Sequence, residues 1–282
     1  MAEEINTTSQ RDDVTWRSLV GGALLIGGGF ALLDQLLRLG WLAPLSGLAG
    51  GLFLLAGGIR NRQKGLLIAG SIVVGFGLGI ATSLEYPGNW SVVQRIGLVA
   101  LFGGAGFGLA EFTMNRVRRE VIWWPAIPLA ILVSGGVCMF VTPARLLDFV
   151  LYISLGLGLV LLGIGLSHHW IGLVIPGCLL VWTGLGVYIP WGTSFGVNAL
   201  SKTGGMLVLF AFGWGLITVF SRVVMKGPIW WPLIPGGLLA VVGWGLYSGG
   251  DPGNAFRFIS NTGTVAIILI GFYLMMMRRG IR

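Results

Sequence analysis

Charged residues are scarce in this sequence, and their scarcity excludes an ordinary soluble protein. Only 10% of the 282 residues are charged, whereas 55% are hydrophobic; a soluble domain has about 25% charged residues. The apolar residues form runs close to the roughly 20 residues that a helix needs to cross a membrane. These runs lack the two-residue alternation of a membrane β-barrel. The sequence therefore predicts an all-α membrane protein whose solvent is lipid.

Residues that carry chemistry are also few. Cys138 and Cys178 lie inside apolar runs, which predicts small packing residues rather than a disulfide. His168 and His169 are the only histidines. Adjacent residues on a helix point about 100° apart, so metal or pigment ligation is the less favoured interpretation of this pair. No Ser-His-Asp order, HExxH or CxxC motif is present. The sequence predicts no enzymatic activity, no catalytic, cofactor-binding or metal-binding residue, and no cofactor.

The ionisable residues of the apolar runs all lie close to predicted span ends. Asp34 and Arg38 have the spacing of a helical ion pair, and Asp148 follows Arg145 by three residues. Glu111 is predicted to close the fourth span. Charges at such positions reach the headgroup region, whereas a proton or sodium relay needs ionisable groups that face a cavity within the membrane. The pattern favours interfacial charges with local partners.

Glycine is abundant, with 49 residues. Many glycines lie in the middle of the apolar runs, where small residues allow helix backbones to approach closely. We expect Gly104, Gly108, Gly156 and Gly163 to lie at helix–helix contacts, either within the chain or against a partner. The alternative is that some glycines act as hinges in a transport cycle. The favoured interpretation is a tightly packed helical bundle.

A tryptophan motif recurs at the start of alternate apolar runs and indicates an internal repeat. Its clearest copies begin at Trp16, Trp124 and Trp231, and weaker copies begin at Lys64 and Trp170. The gaps between successive copies alternate between a shorter and a longer value, so every second copy is separated by nearly the same length of chain. A repeated unit of this kind predicts an array, here five parallel helical hairpins. The aligned positions of the five copies are Val20, Ala69, Pro128, Pro176 and Pro235.

The repeat also predicts the organisation of the chain. A polar cytoplasmic tail at 1–14 precedes a single transmembrane domain at 15–282, with copies near 16–122 and 123–229 and a half copy at 230–282. The tail lacks the apolar core of a signal peptide and is expected to be disordered or to lie on the surface. Ten spans are predicted near 17–37, 42–59, 65–84, 93–112, 122–141, 146–166, 170–189, 203–220, 229–247 and 259–277.

The basic residues assign the two sides of the membrane. Of the 18 Lys and Arg residues, 13 lie at one set of span ends and 5 at the other. The positive-inside rule makes the richer side cytoplasmic, and an even number of spans then places both termini there. The tryptophan motif falls on this side. Because an indole prefers the interface and a proline in a first turn costs little, we interpret the motif as a helix-entry device rather than a ligand site.

The motif Trp-x-x-Ile-Pro-Gly-Gly, as it stands at Trp231-Pro-Leu-Ile-Pro-Gly-Gly, resembles the hairpin modules of uncharacterised bacterial multi-pass membrane proteins. The resemblance covers the odd-numbered spans. It implies a location in the bacterial cytoplasmic (inner) membrane and no particular activity. The length and the ten spans also resemble the drug/metabolite transporters, whose halves are inverted copies. The present chain differs, because its repeat contains an even number of spans and its copies are parallel.

Two functional hypotheses follow. The first is a structural, assembly or accessory subunit whose partners are the lipid bilayer and, through glycine-lined helix faces, other proteins in a membrane complex; nucleic acid is not expected, and the oligomeric state is open. The alternative is a transporter or channel for a small apolar or weakly polar solute. A water-filled path lined by Trp182, Trp214, Thr183 or Ser154 would favour transport. A packed centre with exposed glycine grooves would favour a scaffold.

Overall fold

The described part of the chain is entirely helical. A computed structural model describes residues 2–38, 40–85, 90–120, 122–141, 145–192, 198–225, 227, 229–249, 257, 260 and 263. Over these residues the chain forms nine α-helices and no strand, which confirms the all-α prediction. The helices are α1 Ala2–Leu37, α2 Leu42–Asn61, α3 Lys64–Glu85, α4 Val92–Arg118, α5 Ala126–Val141, α6 Leu146–Ser167, α7 Ile171–Gly192, α8 Ala199–Val224 and α9 Leu233–Gly249.

Seven of the nine described helices are long and apolar enough to cross a membrane, namely α1 to α4 and α6 to α8. The other two, α5 and α9, are apolar but shorter. The chain is therefore a multi-pass membrane protein, as its composition predicts. Of the predicted tenth span at 259–277, all but Ser260 and Gly263 lie outside the described residues.

Several helices extend beyond their predicted ends, α1 and α4 by the most residues. The helix α1 begins at Ala2, so the predicted tail at 1–14 is helical from its second residue rather than disordered. The helix α4 continues to Arg118, which places Glu111 two turns before the helix end instead of at the end. Apolar periodicity alone does not detect such extensions, because helical hydrogen bonds continue into polar sequence wherever no helix-breaking residue intervenes.

The predicted ion pair between Asp34 and Arg38 is replaced by a cap. A carboxylate oxygen of Asp34 accepts a hydrogen bond of 3.1 Å from the backbone N–H of Leu42, the first residue of α2. The first N–H groups of a helix have no partner within the helix, so this bond satisfies one of them. Arg38 takes a left-handed backbone conformation with φ 51°. Asp34 and Arg38 therefore both shape the turn that connects α1 with α2.

The contacts divide the chain into two compact units, residues Met1–Arg145 and Leu146–Arg282. This division lies inside the second predicted repeat, 123–229. In unit 1 the close backbone contacts follow the sequence, with α1 on α2, α2 on α3, α3 on α4 and α4 on α5. The order is the same in unit 2, from α6 to α9, with a small additional contact between α6 and α8.

Glycines lie where neighbouring helices approach most closely. A Cβ atom added at Gly97 in α4 would lie 2.9 Å from the carbonyl oxygen of Gly136 in α5, and one added at Gly136 would lie 2.7 Å from the oxygen of Gly97. In α8 and α9, Gly204 and Gly243 block each other's Cβ positions in the same reciprocal way. Only glycine permits this separation, because no side-chain carbon fits between the two backbones.

The same close contacts occur within each unit, and equivalent residues of the two units are separated by a constant number of positions in the sequence. It equals the separation between Pro128 and Pro235, the aligned prolines of the motif, and we call it the repeat offset. The offset applies to both members of each contact, the glycine and the residue that faces it. The recurring contacts are 51 on 74 and 158 on 181; 58 on 67 and 165 on 174; 70 on 55 and 177 on 162; 79 on 99 and 186 on 206; 97 on 136 and 204 on 243; 106 on 71 and 213 on 178.

Four pairs of fully buried core positions keep the same offset. Within unit 2, Val174, Cys178 and Ile217 join Leu162 in an apolar cluster that links α6, α7 and α8. Both side chains of each pair are 0% exposed, and the two residues of each pair differ in size or polarity. The pairs are Leu67 and Val174, Ser71 and Cys178, Ala110 and Ile217, and Met114 and Ser221.

Candidate functional site

An apolar groove runs between α8 and α9 in unit 2. Its volume is about 270 Å³, and it follows the first two turns of α9. Two of its glycines, Gly215 and Gly237, face open space, since an added Cβ would have no neighbour within 4 Å. The groove is lined by Val208, Ala211, Phe212, Gly215, Leu233, Gly236, Gly237 and Ala240.

The groove exists because two side chains that fill the equivalent interface of unit 1 are missing here. In unit 1, a Cβ added at Gly108 of α4 would meet a methyl group of Leu129 at 2.8 Å. At the repeat offset, Gly236 is the equivalent of Leu129, and Ala240 is the equivalent of Val133. Gly215, the equivalent of Gly108, is therefore uncovered. The missing volume corresponds to aliphatic side chains.

One aromatic side chain, that of Phe212, lines the groove. The side chain of Phe212 is 55% exposed, and its ring lies 5.4 Å from the ring of Trp182 in α7. The ring of Trp214 lies 5.8 Å from that of Trp231, just before α9, in an edge-to-face arrangement. The Phe212 ring forms a rigid apolar wall with little conformational entropy to lose on binding. The site is thus suited to an aliphatic group and offers it almost no polar partner.

Two half-buried indoles in unit 2 have buried Nε1 donors. The Nε1 atoms of Trp182 and Trp214 have no hydrogen-bond partner among the described residues, and neither does the hydroxyl of Thr218. The other two residues proposed to line a transport path have contacts with nearby residues. Thr183 donates a 2.7 Å hydrogen bond to the carbonyl oxygen of Leu179, and Ser154 packs against Gly184.

A second concave feature lies in unit 1, where α2 ends and α3 begins. This basic pocket has a volume of about 370 Å³. The turn that forms it has Arg62 in a left-handed conformation with φ 51°, and the Gln63 N–H donates back to the carbonyl oxygen of Gly58 at 3.2 Å. The pocket is lined by Trp16, Asn61, Arg62, Gln63, Lys64, Gly65 and Arg118.

Glu120 organises the charges beside the basic pocket. It forms ion pairs with Lys64 and, at 3.2 Å, with Arg118. The hydrogen bond and positive charge of Lys64, together with Arg118, lower the pKa of Glu120 below its ordinary value. Arg118 also donates a 2.9 Å hydrogen bond to the carbonyl oxygen of Arg62, which ties α4 to the turn. Glu120 lies beyond the end of α4, outside the spanning segments.

The glycines predicted to lie at helix contacts divide into three groups. Gly104 and Gly108 do pack against α5, through Val133 and Leu129. Gly163 of α6 instead has no neighbour within 4 Å of an added Cβ, so no described helix covers it. Gly156 is half-buried, and its contact stays a prediction.

The residues considered for redox or metal chemistry lie apart. Cys138 and Cys178 are both fully buried, in different units. His168 lies beside Trp170, with 5.5 Å between ring centroids, and His169 has φ 54°. Among the described residues, no group of three His, Cys, Asp or Glu side chains is arranged to hold a metal ion.

The groove and the basic pocket were not identified from the sequence. The signal for the groove was available in the repeat itself, because aligning the copies at the repeat offset places Gly236 opposite Leu129. The signal for the pocket was the density of basic residues near Arg62. Comparison of the chain with protein-family models, with curated proteins and with solved structures yields no match.

Proposed function

We propose that this chain is a non-enzymatic structural, assembly or accessory subunit of a membrane complex, and that the groove between α8 and α9 receives a transmembrane helix of another protein. The observation that carries the proposal is the uncovered Gly215, which lies beside Gly236 and Ala240 where unit 1 has Leu129 and Val133. The equivalent space in unit 1 is filled by Leu129 and Val133 of the chain's own α5. We infer that a partner helix supplies comparable aliphatic side chains to unit 2.

The physical basis is packing rather than the hydrophobic effect. In a bilayer, lipid tails are as apolar as leucine, so helices associate through close van der Waals contact at small residues. A groove with Gly215 and Gly237 on its floor allows such contact, because neither position has a neighbour within 4 Å. The exposed ring of Phe212 adds contact area at one edge. A helix with a leucine at the matching height would fit this surface.

The recurrence of contacts at the repeat offset supports an origin by duplication of a four-helix unit, with parallel copies near 16–122 and 123–229 and a half copy at 230–282. After duplication, one copy of an interface remains closed while the other is free to change. The loss of leucine and valine from the second copy would create a partner site without disturbing the first. The resemblance to bacterial hairpin-repeat membrane proteins is consistent with this origin.

The proposed location is the bacterial cytoplasmic membrane, with both termini in the cytoplasm. The excess of basic residues at one set of span ends supports this orientation. Tryptophans at the starts of α5 and α9 support the same placement of these ends at an interface. Trp123, Trp124, Trp230 and Trp231 are all exposed, and the indole ring favours the headgroup region.

Photo-crosslinking in native membranes tests the proposal. Phe212 is replaced by a photoreactive phenylalanine analogue, and Phe112 on α4, which is also exposed, serves as the matched control. We expect a discrete heavier product at position 212 and none at position 112. The product is then identified as a second membrane protein by mass spectrometry.

A filling substitution makes the test specific to the groove. Gly215→Leu places a side chain in open space, and Gly163→Leu does the same on α6, away from the groove. The product at position 212 should disappear with Gly215→Leu and persist with Gly163→Leu. A product that survives Gly215→Leu, or that joins position 212 to the chain's own residues 259–277, would contradict the proposal.

The second candidate is a transporter for a small apolar or weakly polar solute. It is supported by the unsatisfied Nε1 atoms of Trp182 and Trp214 on adjacent helices, because a buried donor without a partner is costly. A weakly polar solute would supply acceptors to these donors. Under this alternative, Trp182→Phe and Trp214→Phe would abolish solute uptake in proteoliposomes without altering the crosslink pattern at position 212.

A further inference from the structure

The basic pocket at the turn between α2 and α3 has the composition of an anion site. Three cationic side chains, Arg62, Lys64 and Arg118, line it, and one carboxylate, Glu120, pairs with the latter two. Three positive charges against one negative charge leave an excess of two. The guanidinium of Arg62 has no acidic partner among the described residues, and its side chain is exposed. An anion entering the pocket meets this guanidinium first.

The backbone adds to the attraction. The pocket includes Lys64 and Gly65, the first residues of the 22-residue helix α3. The N–H groups of a first helical turn lack partners within the helix and point outwards, so they favour negative charge. Trp16 of α1 packs on Gly65, where an added Cβ would lie 3.3 Å from its indole ring. The indole gives the pocket an apolar wall on the side of the membrane-spanning segment.

The position of the pocket selects the kind of anion. It lies at the ends of apolar helices long enough to span a membrane, and lipid phosphates lie at that depth. Basic pockets between transmembrane helices recognise anionic headgroups, and a guanidinium binds phosphate oxygens in a bidentate manner.

We infer that this pocket binds the phosphate group of an anionic phospholipid, with Arg62 as the principal ligand and Lys64 and Arg118 as supporting cations. The site is separate from the groove of unit 2, and the inference does not rest on the proposed partner. Its equivalent in unit 2 has lost the charge, since His168, His169 and Ile171 stand where Asn61, Arg62 and Lys64 stand in unit 1. The site therefore belongs to unit 1 alone.

Native mass spectrometry of the full chain in mild detergent measures the binding. Dioleoyl phosphatidylglycerol and dioleoyl phosphatidylcholine are titrated separately, and dissociation constants are obtained for the first bound lipid. We expect the anionic lipid to bind at least about tenfold more tightly, and Arg62→Gln to remove most of this preference, as loss of one charge-assisted hydrogen bond predicts. Arg62→Lys should retain much of it.

Two matched controls distinguish a site from the general basic field. Arg60→Gln removes a charge from the same end of α2, and Arg222→Gln removes one from the end of α8; neither residue lines the pocket. The lipid preference should change less than about twofold in both. An equal loss in all three Arg→Gln variants would overturn the inference, and so would an unchanged preference in Arg62→Gln.

Competition with inorganic phosphate distinguishes a lipid site from a site for a soluble phosphate compound. A lipid site requires that phosphate at millimolar concentration leaves most of the phosphatidylglycerol bound, because the acyl chains contribute affinity that phosphate lacks. Complete displacement by phosphate would assign the pocket to a soluble phosphate compound and overturn the lipid inference. Circular dichroism and size-exclusion profiles confirm that each variant is folded, and Arg62→Lys separates loss of charge from a change in the turn.

Discussion

The α4–α5 interface of unit 1 and the α8–α9 interface of unit 2 share their backbone packing and differ in what covers it. Both contain a reciprocal glycine pair, Gly97 with Gly136 and Gly204 with Gly243. Unit 1 then closes the surface with Leu129, whereas unit 2 has Gly236 at that position and an open groove. The glycine pairs therefore determine how the helices approach, and a few nearby side chains determine whether the interface is complete.

The two units also differ in the charged residues at an equivalent turn. Unit 1 gathers Arg62, Lys64, Arg118 and Glu120 around a polar pocket, while unit 2 has histidines and apolar residues at the equivalent turn. The two turns share their geometry, because Arg62 and His169 both have left-handed φ values, 51° and 54°. One helical framework thus supports a basic pocket in one unit and an apolar groove in the other.

The largest expected effect comes from breaking a feature that the two units share. Gly204→Leu places a side chain against the carbonyl oxygen of Gly243 and the backbone nitrogen of Tyr247. Because the obstructing atoms are backbone, the loss of unfolding free energy should exceed the ~1–3 kcal/mol typical of overpacking. Unfolding in sodium dodecyl sulfate measures the loss, with Gly163→Leu as a control that should be nearly neutral.

A second substitution makes the unit 1 interface more like that of unit 2. Leu129→Ala uncovers Gly108 and should lower the unfolding free energy by about 2–3 kcal/mol, the lower part of the usual range for large-to-small substitutions. The effect is moderate because unit 2 tolerates glycine at this position. Leu238→Ala in α9, where the side chain is 67% exposed, is the control. A smaller loss for Leu129→Ala than for Leu238→Ala would contradict the comparison.

A third substitution introduces a core residue of unit 2 at the equivalent position of unit 1. The hydroxyl of Ser71 donates a 2.7 Å hydrogen bond to the carbonyl oxygen of Leu67 and shares a 3.4 Å bond with Thr113 of α4. Unit 2 has Cys178 at the equivalent position. Ser71→Cys should cost about 0.6 kcal/mol, the average for polar contacts between helices in a membrane. The same unfolding assay checks it, and a cost as large as that of Leu129→Ala would be contrary to our account.

The smallest expected effect is on the pH dependence of stability, and it involves a residue of unit 1. The pKa of Glu120 is lowered in the folded chain, so its ionised form stabilises the fold. This contribution is fully present above the ordinary pKa of 4.5 and is lost as the pH falls through the lower folded value. Glu120→Gln should therefore reduce the dependence of the melting temperature on pH below about 4.5. An unchanged dependence in Glu120→Gln would exclude Glu120 as its source.

The sequence predicted the helical class, the membrane location and most helix boundaries, because apolar run length and helix breakers are local properties. It did not predict the cap that Asp34 provides to Leu42, since a carboxylate four residues before an arginine fits an ion pair equally well. Gly163 was predicted to contact a helix of the chain or of a partner; no described atom lies within 4 Å of its added Cβ, so the contact with a partner stays a prediction. A glycine in an apolar run marks a possible contact, and only the positions of neighbouring helices decide whether one exists.

The groove and the basic pocket required three-dimensional contacts. The pattern of the repeat identified alignable positions, yet it did not show that Leu129 covers Gly108 or that Gly215 is uncovered. Likewise, basic residues near Arg62 indicated one side of the membrane, while their convergence with Arg118 and Trp16 depends on the packing of α1 and α4. Composition thus predicted the environment of the chain, and equivalent contacts revealed where its two units diverge.

The most direct test of this divergence compares one pair of equivalent positions. Ala105 in α4 and Phe212 in α8 are separated by the repeat offset, and both side chains are exposed. A photoreactive phenylalanine analogue is introduced at each position in turn, and crosslinks to other membrane proteins are quantified in native membranes. Our account predicts a discrete partner product from position 212 and none from position 105. Equal products from both positions, or a product from position 105 alone, would contradict it.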